Sequence, residues 1–190
     1  MAYYEQHELE SMGFKALGKN VRISTKASIY NCDLIEIGDN SRIDDFCVIS
    51  GKIKIGRFVH FAPFCLVAGG VKGIEFCDFS GLAYAVQVFT QSDDYSGKTL
   101  TNPNIPARFK NESKRAIFIG KHVIIGASSV VLPGVNIAEG TSIGAMSLVR
   151  KSTEEWTIYN GNPAQKLKKR SKDLLELEKE FLKELAHDSF

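Results

Sequence analysis

The sequence predicts an all-β fold: parallel coils stacked as a triangular β-helix of hexapeptide repeats, with a protruding loop and a C-terminal α-helix. Three observations carry that reading. From Ile119, steps of six land on Ile125, Val131, Ile137, Ile143 and Val149 without a miss. Four residues after each anchor stands a small or β-branched side chain: Val123, Ser129, Val135, Thr141, Ser147 and Thr153. Gly or Ala often follows the anchor directly, as at Gly120, Gly126, Ala138 and Gly144. A helix would repeat at three and four and a half-buried strand at two, so neither accounts for a sustained six.

In chain order, residues 1–16 come first. Their YYEQHELESMGF suits a short helix over the open end of the prism, where core and strand edges would otherwise meet water. The coils occupy 17–170. Ile23 and Ile29 begin the beat, and Ile37, Ile43, Ile49, Ile55, Phe61 and Val67 keep it. Their partners four residues on are Ser41, Cys47, Ile53, Val59, Cys65 and Val71. After a three-residue insertion near Gly73 the anchors resume at Phe76, Leu82 and Val88. Three hexads make one coil of about 18 residues, and each inward aliphatic stacks on the one a coil below at about 4.8 Å, the spacing of paired strands. Tight corners favour glycine and small residues. Cys47 and Cys65, one coil apart, are expected to stack at one corner as small apolar core residues. The stretch FTQSDDYSGKTLTNP (89–103) breaks the beat and opens an excursion over 91–116, restricted by Pro103 and Pro106. Beyond the coils, Leu174, Leu177, Phe181 and Leu185 recur at three and four. That spacing predicts an amphipathic helix within 171–190, with Ser171 as its N-cap.

Composition bounds the function. Hydrophobic residues are 44%, charged residues 24% and the net charge is +2, so no global charge calls for nucleic acid or a membrane surface. The first residues show no basic region followed by an apolar run, and the longest apolar runs are far short of a membrane span. Four cysteines without a C-x-x-C pair, and no histidine at finger spacing, argue against a zinc site and against disulfides, which points to a reducing cytoplasm.

The segment IGKHVIIGASSVVLPGVNIAEGTSIGAMSLVRKSTEEWTIYNGNPAQKLKKR (119–170), with GNPA at 161–164, and SDDYSG with TNP in the loop resemble the hexapeptide-repeat acyltransferases. The branch is that of the sugar O- and N-acetyltransferases of bacterial surface polysaccharide synthesis. The resemblance covers about residues 15–170. It implies a left-handed parallel β-helix, acetyl-CoA as donor, no metal, and a sugar or nucleotide-sugar acceptor. It further implies a homotrimer whose sites lie in the grooves between subunits. A non-enzymatic β-helix scaffold and a metal-dependent carbonic anhydrase-like enzyme are the alternatives. The second needs three convergent histidines, and the coils hold His60 and His122.

Acyl transfer from a thioester needs a base for the acceptor proton, donors for the oxyanion and a clamp for coenzyme A. His60, in GRFVHFAP, ends a hexad and points outward, which makes it the candidate base. His122 is expected to face solvent at a corner. The resemblance places a catalytic histidine in the loop where this chain has Asp93. Three roles are therefore open to Asp93 and Asp94: a base with a raised pKa, an orienter of His60, or a ligand of the sugar. Tyr95 and Asn102 are candidate acceptor contacts. The resemblance also implies that the backbone at Gly126–Ala127 and Gly144–Ala145 lines the pantetheine arm, glycine and alanine letting the cofactor close on the main chain. Arg150, Lys151 and Lys168 would meet its phosphates. Lys110, Lys114 and Arg115 could face a diphosphate or form a solvated cluster.

Overall fold

In a computed structural model, which describes residues 2–187, the hexads form stacked parallel coils. The last three residues of the expected 171–190 segment lie outside the described residues. Two prism faces run together as a ten-stranded sheet because Val48–Ile55 and Leu66–Phe76 continue around a corner. The third face is an eight-stranded sheet, parallel until its last pair, Thr157–Asn160 with Gln165–Lys169.

Register tells where the chain departs from plain coils. Ile43 pairs with Phe61, Ile125 with Ile143 and Val131 with Val149, each one 18-residue coil apart. Ile29 instead pairs with Ile49, because a 3₁₀ turn at Cys32–Leu34 takes up the two extra residues between the anchors Ile29 and Ile37. Val67 pairs with Val88 across the insertion near Gly73, and that insertion throws Val71 out to solvent instead of inward. Val88 then pairs directly with Val131. The whole excursion therefore leaves and re-enters without shifting the stack. Its neck is a short antiparallel pair, Gln91–Ser92 with Ser113–Lys114.

The core is the column of anchors. Ile23, Ile43, Phe61, Leu82, Ile125 and Ile143 are all at most 2% exposed on one face. Burying each contributes roughly 1.5–3 kcal/mol. Phe61 and Phe76 meet inside the prism with ring centroids 4.8 Å apart. The positions four residues on carry buried hydroxyls that tie coils together. Ser129 Oγ donates to the Gly144 carbonyl at 3.0 Å and accepts the Ser147 N–H at 3.1 Å. Among the described residues no buried side-chain nitrogen or oxygen lacks a partner, as a buried polar group requires. At the base, α1 (Gln6–Ser11), closed by a Glu5–Glu8 capping box, lowers the fully buried Leu9 onto the first coil.

Some corners carry the small residues expected, such as Ala85, Ser128 and Gly140, and others do not. Phe46, Phe58, Phe64, Phe79, His122 and Trp156 all hold positive φ. Left-handed backbone costs about 1–2 kcal/mol for a non-glycine residue. It persists because each such N–H donates to a carbonyl of the coil below, as Phe58 N does to Asp39 O and Phe79 N to Arg57 O, both at 3.0 Å. The aromatic side chains then stack up the corner: Phe58 on Phe79 at 4.9 Å and Phe79 on His122 at 5.3 Å between centroids. One level up the column meets Gly140, and Trp156 fills the space that residue leaves.

Helix α2 (Leu174–His187) lies along this corner, with Phe181 edge-on to Phe58 at 5.2 Å. Ser171 does not cap it. Its Oγ accepts the Asp173 N–H at 3.1 Å in a turn just before the helix.

A methyl group at Gly140 would lie 2.4 Å from a ring carbon of Trp156, on a backbone at φ +66°. Gly140→Ala should therefore lower stability by about 1–3 kcal/mol, read as a reduced urea midpoint with altered Trp156 fluorescence.

Candidate active site

Alternation along the strand His60–Phe61 buries Phe61 and turns His60 out from the prism face. Its register partner in the coil below is Arg42. Two residues on from Arg42 is Asp44, whose side chain is 1% exposed. Asp44 Oδ2 lies 2.8 Å from His60 Nε2. Arg42 grips the same carboxylate with both arms, Nε to Oδ1 and Nη2 to Oδ2, each at 2.7 Å. Burial pushes the Asp44 carboxyl up, but the hydrogen bonds from Arg42 and His60 outweigh it and hold the group below its ordinary range. The carboxylate that meets His60 within the chain is thus Asp44, which the sequence reading missed. That reading looked up the prism to the loop, whereas the coil offset places residues 42–44 directly below His60.

His60, its side chain 46% exposed, lines a hollow of about 480 Å³ between the aromatic corner and α2. Phe58, Phe79, Ile124, Leu177 and Phe181 supply its apolar wall. His122 also lines it, and is 7% exposed rather than solvent-facing because α2 covers it. His122 Nε2 lies 2.8 Å from Glu178 Oε2, and Lys121 reaches the other oxygen of Glu178. Burial raises the Glu178 carboxyl, and the hydrogen bonds from Lys121 and His122 outweigh it, leaving it low. Arg170 donates to the carbonyls of His122 at 2.7 Å and Gly140 at 3.1 Å. Its guanidinium has no carboxylate partner among the described residues.

The two loop acids part company. Asp94 Oδ1 accepts the Ser96 N–H at 2.9 Å and its Oδ2 the Thr99 hydroxyl at 3.0 Å, so it builds the turn SDDYSG. Those bonds, the Ser96 amide foremost, lower its carboxyl pKa. In the single chain the Asp94 carboxyl is thus held low by its own turn. The Asp93 carbonyl accepts the Ser92 hydroxyl at 3.4 Å, while its carboxylate makes no hydrogen bond among the described residues; Asp93 lines a second hollow, about 470 Å³, with Asn31, Gly70, Thr90, Pro103 and Glu112. That hollow sits at a different corner from the one His60 lines. Within a single chain, Asp93 and His60 are not brought together. Tyr95, 92% exposed, stands off the loop tip. Asn102 is used by the loop itself, its Oδ1 accepting the Asn104 N–H at 2.9 Å and its carbonyl the Lys110 ammonium at 3.1 Å. Lys110 and Lys114 are both engaged by Glu112, whose carboxyl they hold down at about 2, Lys114 contributing most.

Gly126–Ala127 and Gly144–Ala145 occupy the corner between the second and third faces, one coil apart. A Cβ at Gly126 would sit 2.5 Å from the Ala145 nitrogen, and one at Gly144 2.3 Å from Asn160 Oδ1. At Gly126 the obstacle is the backbone of the next coil, and at Gly144 it is the Asn160 side chain. Arg150, Lys151 and Lys168 are exposed and form no ion pair among the described residues, whereas Lys166 and Lys169 are taken by Glu154. The GNPA turn ends the stack. Gly161 N–H donates to Ser147 Oγ at 3.1 Å and Ala164 N–H to the Leu148 carbonyl at 2.9 Å, around a cis Asn162–Pro163 bond. Among the described residues no group of three or more His, Cys, Asp and Glu could hold a metal ion, and no helix is long and apolar enough to cross a membrane.

Comparison with known proteins agrees with this architecture. The family described as bacterial transferase hexapeptide (six repeats) matches residues 116–151. The dTDP-4-amino-4,6-dideoxy-D-glucose acyltransferase of Escherichia coli is 45% identical over 184 residues, 95% of each chain. AntD, an N-acyltransferase from Bacillus cereus solved with dTDP and 3-hydroxybutyryl-CoA, superposes with a TM-score of 0.96 at 47% identity, covering 98% of this chain and 100% of that one. A variant of AntD holding dTDP-4-amino-4,6-dideoxyglucose and coenzyme A gives 0.95 at 48%, over 96% and 98%.

Because Glu178 is held low, its contribution to docking α2 is present above the ordinary carboxyl pKa and is lost as pH falls through the lower folded value. Hydrogen exchange, corrected for its intrinsic rate, should show α2 losing protection in that acid window before the coils do. Glu178→Gln should flatten the dependence.

Proposed function

The chain belongs to the hexapeptide-repeat acyltransferases, and from that premise we propose that it transfers an acetyl group from acetyl-CoA to the amino group of a dTDP-linked amino-deoxy sugar. The observation that carries the reading is whole-length likeness to an acyltransferase named for such an acceptor. The product is an acylamino sugar ready for transfer into a surface polysaccharide.

The acceptor nitrogen must lose a proton to become an amide. Its lone pair attacks the thioester carbonyl, the C–N bond forms and the oxygen becomes an oxyanion. The nitrogen passes its proton to a base, the C–S bond breaks, and the coenzyme A thiolate leaves and is protonated. His60 is that base: it is partly exposed, it lines an apolar hollow, and its imidazole sits against a fixed carboxylate. Asp93, whose carboxylate is not engaged by the loop, binds the sugar, with Tyr95 beside it. Backbone groups at Gly126–Ala127 and Gly144–Ala145 run along the pantetheine arm. The unpaired cations Arg150, Lys151 and Lys168 meet its phosphates.

A homotrimer completes the site. Phe46, Phe64, Tyr84 and Met146 are exposed near one corner, and Val48 adds to them on the adjoining face, an apolar stripe of the kind that oligomers cover. His60 and Asp93 line separate hollows in one chain, so a neighbouring subunit would bring one to the other. Both substrates belong to the cytoplasmic pool, and the proposed reaction belongs there too.

Free-thiol release should appear with dTDP-4-amino-4,6-dideoxyglucose and acetyl-CoA, and comparison with 3-hydroxybutyryl-CoA will rank the acyl groups. His60→Ala should cut kcat by about 10²–10⁴-fold with the trimer intact. Near-normal turnover in that folded variant removes His60 from the role. If sites span subunits, co-refolding equal amounts of His60→Ala and Asp93→Asn chains should restore about a quarter of wild-type activity, since each wild-type half-site pairs at random. No recovery in mixed trimers would place both residues in one subunit's site.

A further inference from the structure

We propose that Asp44, clamped by Arg42, is a positioning residue that fixes the tautomer of His60, presenting Nδ1 as the nitrogen that takes the acceptor's proton. This rests on the reading of His60 as base, and it specifies which atom does the work and what holds it there.

The argument is one of hydrogen-bonding capacity. An ionised carboxylate only accepts hydrogen bonds. Asp44 Oδ2 is 2.8 Å from His60 Nε2, so Nε2 carries the hydrogen whenever the imidazole is neutral. A neutral imidazole has one N–H, and Nδ1 is left with its lone pair. The carboxylate has little freedom to do otherwise. It is 1% exposed, both its oxygens are held by the Arg42 fork at 2.7 Å, and the Tyr3 hydroxyl approaches Oδ1 at 3.4 Å. Arg42 and His60 are register partners on adjacent strands, so the coil stack itself sets the spacing of the three side chains. When Nδ1 accepts the proton, the imidazolium forms beside a fixed negative charge, which stabilises it without any movement of the protein. The proton later passes from Nδ1 to the departing sulfur. The carboxylate stays ionised throughout, with Arg42 balancing its charge.

Two readouts test this. In the wild-type enzyme with ¹⁵N-labelled histidine, NMR at a pH above the His60 titration should show Nε2 protonated and Nδ1 bare. The reverse pattern overturns the proposal without reference to activity. Asp44→Asn can offer its amide N–H to Nε2 and so stabilise the wrong tautomer. It should lower kcat by about a hundredfold with KM for acetyl-CoA unchanged, and should move the acidic limb of the kcat/KM profile to lower pH, because the charge that favoured the imidazolium is gone. A folded Asp44→Asn enzyme with wild-type kcat, or one slowed with its acidic limb unmoved, also overturns it. Should Asp44→Asn not fold, Arg42→Lys, which keeps the charge and loses the fork, is expected to give a smaller fall in kcat with the same direction of limb shift. An unmoved limb there counts against the proposal. If His60→Ala is active while the tautomer is as stated, the base reading fails and the positioning geometry stands.

Discussion

Coil-to-coil backbone pairing is the interaction on which everything else in this molecule depends. Apart from a few corner bonds, the N–H groups of a parallel coil find their carbonyls in a neighbouring coil, Arg42 in the coil above at Val59 and Phe58 in the coil below at Asp39. That requirement sets the period, forces the anchors into columns, and holds bulky corner residues in a backbone conformation they would otherwise avoid. Phe58, Phe79 and His122 tolerate positive φ because their amides are paired across levels. Stacking their rings then recovers apolar contact along the same line.

The same pairing builds the candidate site. Arg42 and His60 have no sequence relation beyond one coil of separation, yet their strands are hydrogen-bonded neighbours. A carboxylate at position 44 is thereby held in a place too dry for an isolated charge and stabilised by a cation that is likewise fixed. Rigidity of this kind suits proton transfer, where an error of an ångström in placing the base is costly. Helix α2 adds a wall to the hollow, and it is tied to the prism through Glu178, Lys121 and His122, not only through apolar contact.

Much of the fold was legible because the repeat is nearly perfect. From Ile119 to Val149 every anchor named by counting is buried in the core, and the insertion near Gly73 shows in the count. The two residues added at Cys32–Leu34 also show there, as a step of eight residues from Ile29 to Ile37 instead of six, and the pairing of Ile29 with Ile49 shows how the coil absorbs them. Aromatic corners were illegible because propensity argues for glycine there and the compensating hydrogen bonds are long-range. At the site, His60 was readable from its outward phase and Asp93 from the broken beat. Asp44 was not, though the coil offset held the clue: a residue two beyond the one beneath His60 had to lie close by. The roles of Asp93 and Asp94 looked equal in the sequence, and only the turn geometry separates them. The lack of a side chain at Gly126 and Gly144 is legible in the sequence, whereas the close approach of the next coil at Gly126 and of Asn160 at Gly144 is not.

One further consequence follows from the pairing of Val88 with Val131. The excursion enters and leaves at adjacent levels through a two-pair neck, so the stack above and below is the same whether the loop is long, short or rewritten. A loop anchored this way pays mainly closure entropy, which grows slowly with length. Changes in SDDYSG and its surroundings are therefore hidden from the core. A lineage can rewrite that one segment while the stacked coils are inherited unchanged.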